Sequence, residues 1–252
     1  MERIIGLNSK TVLLPQLREL CRLCGLSSTG TKSLLFERLQ FAQTNLVQHP
    51  TVISIDLGYK NFATAVVQVN ECNSSVLAWT KEDLHLPETF DPRQFAQASF
   101  ELASRLKGIA QQFRDPIFLI ERQRHRSMGA AAIPEIIINI TRLEVQLHCF
   151  LLDHFVASID PKRVAFTFDL QSGAQKKKDA IRLVKDVIAQ KALLDNKVLI
   201  PSDLVTYFEQ QKKQDDLSDA LLQAIAYISW NKNRGNLHKL SLFRLEGMHL
   251  AT

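Results

Sequence analysis

The chain has 252 residues, 46% hydrophobic and 23% charged, enough apolar material to bury one main domain with a small appendage. No apolar run approaches the length of a membrane span, which predicts no membrane partner. The net charge of +5 is modest, but its positive part is bunched in RQRHR at 122–126, KKK at 176–178 and NKNR at 231–234, and bunched cations suit a polyanionic partner.

The opening MERIIGLNSK has neither the Arg-rich, acid-poor pattern of a transit peptide nor the apolar core of a secretory signal, so compartment has no direct signal. Residues 13–40 predict two short helices, the first with Leu17, Leu20, Cys21 and Cys24 at helical spacing and the second with Leu34, Leu35 and Leu39, around the polar turn GLSSTGTK. That turn is not a phosphate loop, because Thr31 separates Gly30 from Lys32 and a helix precedes it where a strand is required. Cys21 and Cys24 form a CxxC without a second ligand pair, so they are assigned to core packing rather than zinc. With Cys72 and Cys149 they make no disulfide framework, which points to a reducing compartment. Leu17, Leu20, Gly25, Leu26, Gly30, Lys32, Leu35, Arg38 and Leu39 together resemble the SAP motif, a small helical DNA-binding module. The division that follows is a module over 1–46 and a main domain over 50–252.

After NLVQHP, the runs TVISID and FATAVVQV around GYKN predict an antiparallel hairpin. Residues 92–113 predict an amphipathic helix ending before Pro116, and IFLIE at 117–121 a central strand. A long helix is expected after Pro134 over EIIINITRLEVQLHCFLLDHF, then a strand at VAFTF (164–168). The penultimate helix is expected at KKKDAIRLVKDVIAQKALL. The last is DDLSDALLQAIAYISW, with Leu217, Leu221, Ala224, Ile225 and Ile228 on one face. A hairpin followed by alternating strands and helices is an α/β sheet with helices on its faces.

Two of these apolar strands end on a carboxylate, Asp56 and Glu121, and Asp216 and Asp219 share one face of the last helix at i and i+3. Singly, each has an ordinary reading: a turn after a strand, a surface pair with Arg122 or Arg124, acids favoured by a helix N-terminus. Together, four acids from three segments have one plausible meeting place. Carboxylates crowded beside apolar strands are costly unless a cation compensates, and hard oxygen ligands suit Mg²⁺ or Mn²⁺. Two such ions can serve an in-line displacement at phosphorus, which is nuclease chemistry.

Asp56 in SIDLGYKNFATAVV, Glu121 in LIERQ and the DxxDAL of Asp216–Leu221 resemble the acidic tetrad of the RuvC-like branch of the RNase H fold. With the SAP-like head, IERQRHRS and the overall length, the chain is similar to the fungal mitochondrial Holliday-junction resolvases. The resemblance implies an RNase H-like mixed sheet flanked by helices. It also implies a homodimeric, Mg²⁺-dependent mitochondrial endonuclease that nicks opposed strands of a four-way DNA junction, leaving 5′-phosphate and 3′-hydroxyl ends. Asp56, Glu121, Asp216 and Asp219 would then hold two metal ions, with Asp215 as an alternative to Asp216. Lys213 would stand where the family carries a basic residue near the scissile phosphate, and the helix after Pro134 would be the dimer helix. Arg122, Arg124, Arg126, Lys176, Lys177 and Lys178, with Lys32 and Arg38 of the module, are the candidate DNA contacts, positioning the backbone without reading sequence.

IDLGYKN also looks like the first phosphate loop of the actin and Hsp70 ATPases. Nine glycines with no GxG anywhere exclude their further phosphate hairpins, so no nucleotide cofactor is expected. The remaining alternatives are another RNase H-fold nuclease, an RNase H or an exonuclease, and a non-catalytic DNA-binding protein.

Overall fold

The computed structural model describes residues 12–86, 90–123, 135–171, 173–194 and 196–237. Two compact units emerge. One contains residues up to 48, 162–170 and everything from 225 onward; the other contains 49–161 and 171–224. Two later stretches, 162–170 and the one from 225, thus group with the N-terminal helices.

In the first of these units, helices α1 (Leu14–Leu23) and α2 (Lys32–Thr44) form the expected pair. The Leu13 N–H donates to Gln16 Oε1 at 2.7 Å, which starts α1, and the Thr31 hydroxyl accepts from the Leu34 N–H, which starts α2. Leu17, Leu20, Cys21, Cys24, Leu35 and Leu39 are buried together. Burial pushes the Cys21 thiol up to about 11 and the Cys24 thiol up to about 12, so both are protonated packing groups. The last carbonyls of α1 are claimed by side chains from later in the chain. Asn233 Nδ2 donates to Leu23 O (2.7 Å), Arg234 Nε to Cys24 O (2.9 Å) and Arg163 Nη1 to Gly25 O (2.8 Å). Two members of the NKNR cluster thus serve the fold. Gly25 is left-handed, with φ +65°, and the Trp230 indole lies where its side chain would be.

The second unit holds a six-stranded sheet of order β5-β4-β1-β2-β3-β6. Strands β1 (Thr51–Asp56), β2 (Phe62–Val69) and β3 (Asn73–Glu82) form an antiparallel meander. After helix α3 (Pro92–Ala110), β4 (Ile117–Glu121) pairs parallel with β1. After α4 (Glu135–Phe150), β5 (Phe155–Ile159) pairs parallel with β4. The chain continues through α5 (Pro161–Thr167) and α6 (Ala174–Ile188) to the short β6 (Lys197–Leu199), parallel to β3, then α7 (Ser202–Gln210) and α8 (Asp215–Gly235). This is the RNase H-like mixed sheet.

One face of the sheet, through Ile53, Ile55, Phe62, Phe118 and Ile120, packs on Phe95, Leu102 and Leu106 of α3 and on Leu143 and Leu147 of α4. The other face meets α8, where buried Gln223 donates to Ser54 Oγ (3.0 Å), Ile55 O and Leu119 O (3.2 Å each). Central strands covered on both faces must be apolar throughout, which is why TVISID and IFLIE carry no alternation.

Four expectations are corrected. VAFTF is not a strand: Pro161 fixes a helical φ at the start of α5, and the strand is the preceding FVASI. The helix after Pro134 stops at Phe150, leaving Phe155 to open that strand. The lysine-rich helix is followed by α7 and so is not the penultimate one. Helix α8 is buried around nearly its whole circumference from Leu217 to Ile228, not on one face.

Candidate active site

Because Ile55 of β1 pairs with Ile120 of β4, the parallel strands deliver Asp56 and Glu121 to the same end of the sheet at adjacent positions. Gln223 holds the Ser54 side chain, two residues before Asp56, while Ile55, Phe118 and Ile120 face α3 and α4, so Asp56 and Glu121 lie on the face that α8 covers. The indole N–H of Trp79 on β3 adds a second tie, donating to Leu217 O at 2.9 Å, and its ring stacks on Phe208 at 4.6 Å. These contacts bring the first turn of α8, with Asp216 and Asp219, to the sheet end bearing Asp56 and Glu121.

The electrostatics record the meeting. Asp56 is pushed well above the usual carboxylate range, first by burial and then by the charges of Glu121, Asp219 and Asp216. Burial, reinforced by Asp219, raises Glu121 to about 7. Asp216 and Asp219 are also raised, chiefly by burial and with Asp215 contributing to both. Lys176, with Nζ 3.7 Å from Asp219 Oδ1, opposes the repulsion at Asp56, Glu121 and Asp219. Asp215 behaves differently. Burial acts to raise it, but the hydrogen bond and charge of Lys177 outweigh that and leave it below its ordinary value. Its neighbour Asp216 keeps a buried Oδ2 without a hydrogen-bond partner.

Among the described residues no three acidic, histidine or cysteine side chains stand close enough together to hold a metal ion as they are placed. The donor set nevertheless fits a hard divalent cation, since it offers carboxylate oxygens that repel one another and one buried oxygen that nothing satisfies. Without an ion these acids hold protons in the folded chain that the unfolded chain has released. Stability therefore falls as pH rises from the ordinary carboxyl range through the value of about 7 at Glu121. Melting in EDTA from about pH 5 to about pH 7.5 should show a falling midpoint, and Glu121→Gln should flatten the fall. A midpoint that rises across this range would mean the acids do not burden one another.

The basic candidates separate. Lys176 and Lys177 lie in the first turn of α6, where cations oppose the helix dipole, and each faces an acid of α8. Lys178, beside them, is exposed. Arg122 pairs with Asp160 at 3.2 Å rather than with Glu121. Arg38 Nη1 donates to Ser27 O (2.9 Å) and Thr29 O, pinning the loop between α1 and α2, at whose end Lys32 opens the second helix. Arg124 and Arg126 lie outside the described residues. The Lys213 side chain is exposed, while its backbone carbonyl accepts from Lys81 Nζ at 2.6 Å. Lys81, Trp79 and Gln223 escaped the sequence reading, which had no reason to select one lysine, one tryptophan or a mid-helix glutamine.

Residues 52–198 match the family described as mitochondrial resolvase Ydc2 / RNA splicing MRS1, and residues 14–40 match the SAP domain. The mitochondrial cruciform cutting endonuclease 1 of Schizosaccharomyces pombe is 29% identical over 246 residues, covering 87% of this chain and 93% of that protein. Its Saccharomyces cerevisiae namesake is 24% identical, covering 75% and 71%. The crystal structure of the yeast mitochondrial Holliday junction resolvase Ydc2 superposes with a TM-score of 0.74 at 26% identity, covering 92% of this chain and 100% of that one.

Proposed function

Because this chain belongs to the mitochondrial resolvase Ydc2 / RNA splicing MRS1 family, we propose that it is a mitochondrial Holliday-junction resolvase, an endonuclease that cuts four-way DNA junctions by paired nicks. The observation that carries this reading is the convergence of four half-buried carboxylates, drawn from β1, β4 and α8, on one end of the sheet. A protein that only bound nucleic acid would have no use for so costly a cluster.

Asp56, Glu121, Asp216 and Asp219 would hold Mg²⁺ or Mn²⁺, two ions per site. Asp216 is preferred to Asp215 because Lys177 already occupies the latter. When bound, such ions lower the pKa of water and neutralise charge on a phosphate. The protein's own groups do the rest. Lys176 and Lys177 draw the DNA backbone toward the acids, and Gln223 and Trp79 fix the strand ends against α8. Water adds to phosphorus in line and loses a proton while the P–O3′ bond breaks and the departing O3′ gains one, leaving the phosphate on the 5′ end and a hydroxyl on the 3′ end. Residues 1–46 serve as the accessory DNA-binding module and 50–252 as the nuclease.

Two opposed nicks call for two copies. Exposed apolar side chains on α4, Ile136 at 53% and Val145 at 56%, support pairing through that helix. The test is a gel assay of a synthetic four-way junction against duplex, RNA·DNA hybrid and single strand, with Mg²⁺ and with EDTA. Symmetric nicks confined to the junction and dependent on the ion are expected. Equal cutting of the hybrid or of single strand would assign the fold to a different nuclease.

A further inference from the structure

We propose that Lys81 is a positioning residue for the α8 carboxylates, latching the Lys213 carbonyl so that Asp216 meets a divalent ion with an unengaged oxygen. The inference rests on the metal-dependent nuclease reading. Its starting point is strand register: Asp56 of β1 stands opposite Ala63 of β2, and Ala63 opposite Lys81 of β3. Residues so paired project from the same face, so Lys81 belongs to the row that begins with Asp56, and only an alanine methyl stands between them.

From there the ammonium donates to Lys213 O at 2.6 Å, two residues before α8 begins. Two residues back on β3, Trp79 Nε1 holds Leu217 O. Lys213 and Leu217 are four residues apart on either side of the start of α8, so β3 grips the entry to that helix at two successive points. The grip has a fixed base. The Tyr207 hydroxyl accepts from the Lys81 N–H at 3.1 Å and donates to Lys81 O at 3.3 Å, while Gln214 Nε2 ties the same entry to Phe208 O at 3.0 Å.

A cation at a helix N-terminus opposes the dipole, so helix stability does not account for Lys81. What its geometry serves is the placement of the chain that leads into Asp215 and Asp216. It also differs from its neighbours in what it leaves free. Lys176 and Lys177 sit directly on Asp219 and Asp215, whereas Lys81 bonds to a carbonyl and Asp216 Oδ2 stays unpartnered. A cation that steadies a metal ligand without competing for its oxygen is what an outer support should provide.

The experiment compares full-length wild type, Lys81→Met, Lys81→Gln and Lys81→Arg. Mn²⁺ binding is read from the free-ion electron paramagnetic resonance signal, single-turnover junction cleavage is measured against Mg²⁺ concentration, and junction affinity in EDTA and melting temperature are recorded. Lys81→Met and Lys81→Gln should weaken Mn²⁺ binding and raise half-saturating Mg²⁺ by about tenfold, with junction affinity unchanged. Lys81→Arg should recover most of both. Unchanged ion dependence in the Met and Gln variants overturns the proposal, as does a loss that tracks melting temperature and that Arg does not restore, or failure of both variants to fold. If wild type cuts no junction with any divalent ion, the nuclease reading falls, and the Mn²⁺ titration still decides the latch.

Discussion

Asp56→Asn should cut junction cleavage by about a thousandfold or more, while junction affinity in EDTA should stay within about threefold of wild type. The substitution keeps the shape of the side chain and removes a single negative charge from the centre of the cluster. Asp56 feels Glu121, Asp219 and Asp216 at once, so it is the acid whose charge is most crowded in the folded chain. On the proposed reading, removing that charge takes away an ion ligand worth several kcal/mol to the transition state and leaves the basic surface intact. The same change relieves repulsion when no ion is bound, so in EDTA at neutral pH the variant should melt above wild type. Loss of activity together with gain of stability separates a ligand from a packing residue. Wild-type cleavage by Asp56→Asn would dismiss the assignment.

Gly25→Ala acts on the other compact unit. At φ +65° an alanine loses about 1 kcal/mol, and its methyl would overlap the Trp230 ring, adding about 1–3 kcal/mol of overpacking. Backbone relaxation at residue 25 would also disturb the bond from Arg163 to Gly25 O. The melting transition should drop by several degrees. The concentration for half-maximal junction binding should rise while the single-turnover rate at saturation holds, because all four acids lie in the unit that begins at His49. Equal losses in rate and affinity would show that the two units do not divide the labour in this way.

Asp56 and Glu121 stand out in the sequence because each breaks an apolar pattern: a charge closing TVISI and another closing IFLI have few ordinary explanations once both occur in one chain. Their supports were hidden for a physical reason. On β3 the buried residues run Ser74, Val76 and then Trp79, because a bulge at Leu77 shifts the register between Val66 and Val67 of β2. That extra residue breaks the period of two by which strands are recognised, and it also turns Trp79 and Lys81 onto the face of Asp56. VAFTF and FVASI are equally apolar and short, so periodicity does not choose between them. Pro161, standing between them, does, by starting a helix. Gln223 is mid-helix in sequence and 169 positions from the serine it holds, a distance no local pattern spans.

The span between Gln223 and Ser54 bears on how the protein is made. Synthesis proceeds from the N-terminus, and the sheet can be laid down before α8 leaves the ribosome. A chain halted before Asp215 carries Asp56 and Glu121 but neither their two partners nor the glutamine that braces the strands. On the proposed reading such a fragment has basic side chains to attract DNA but lacks half of the acids, so cutting power would wait for α8 to be made and docked.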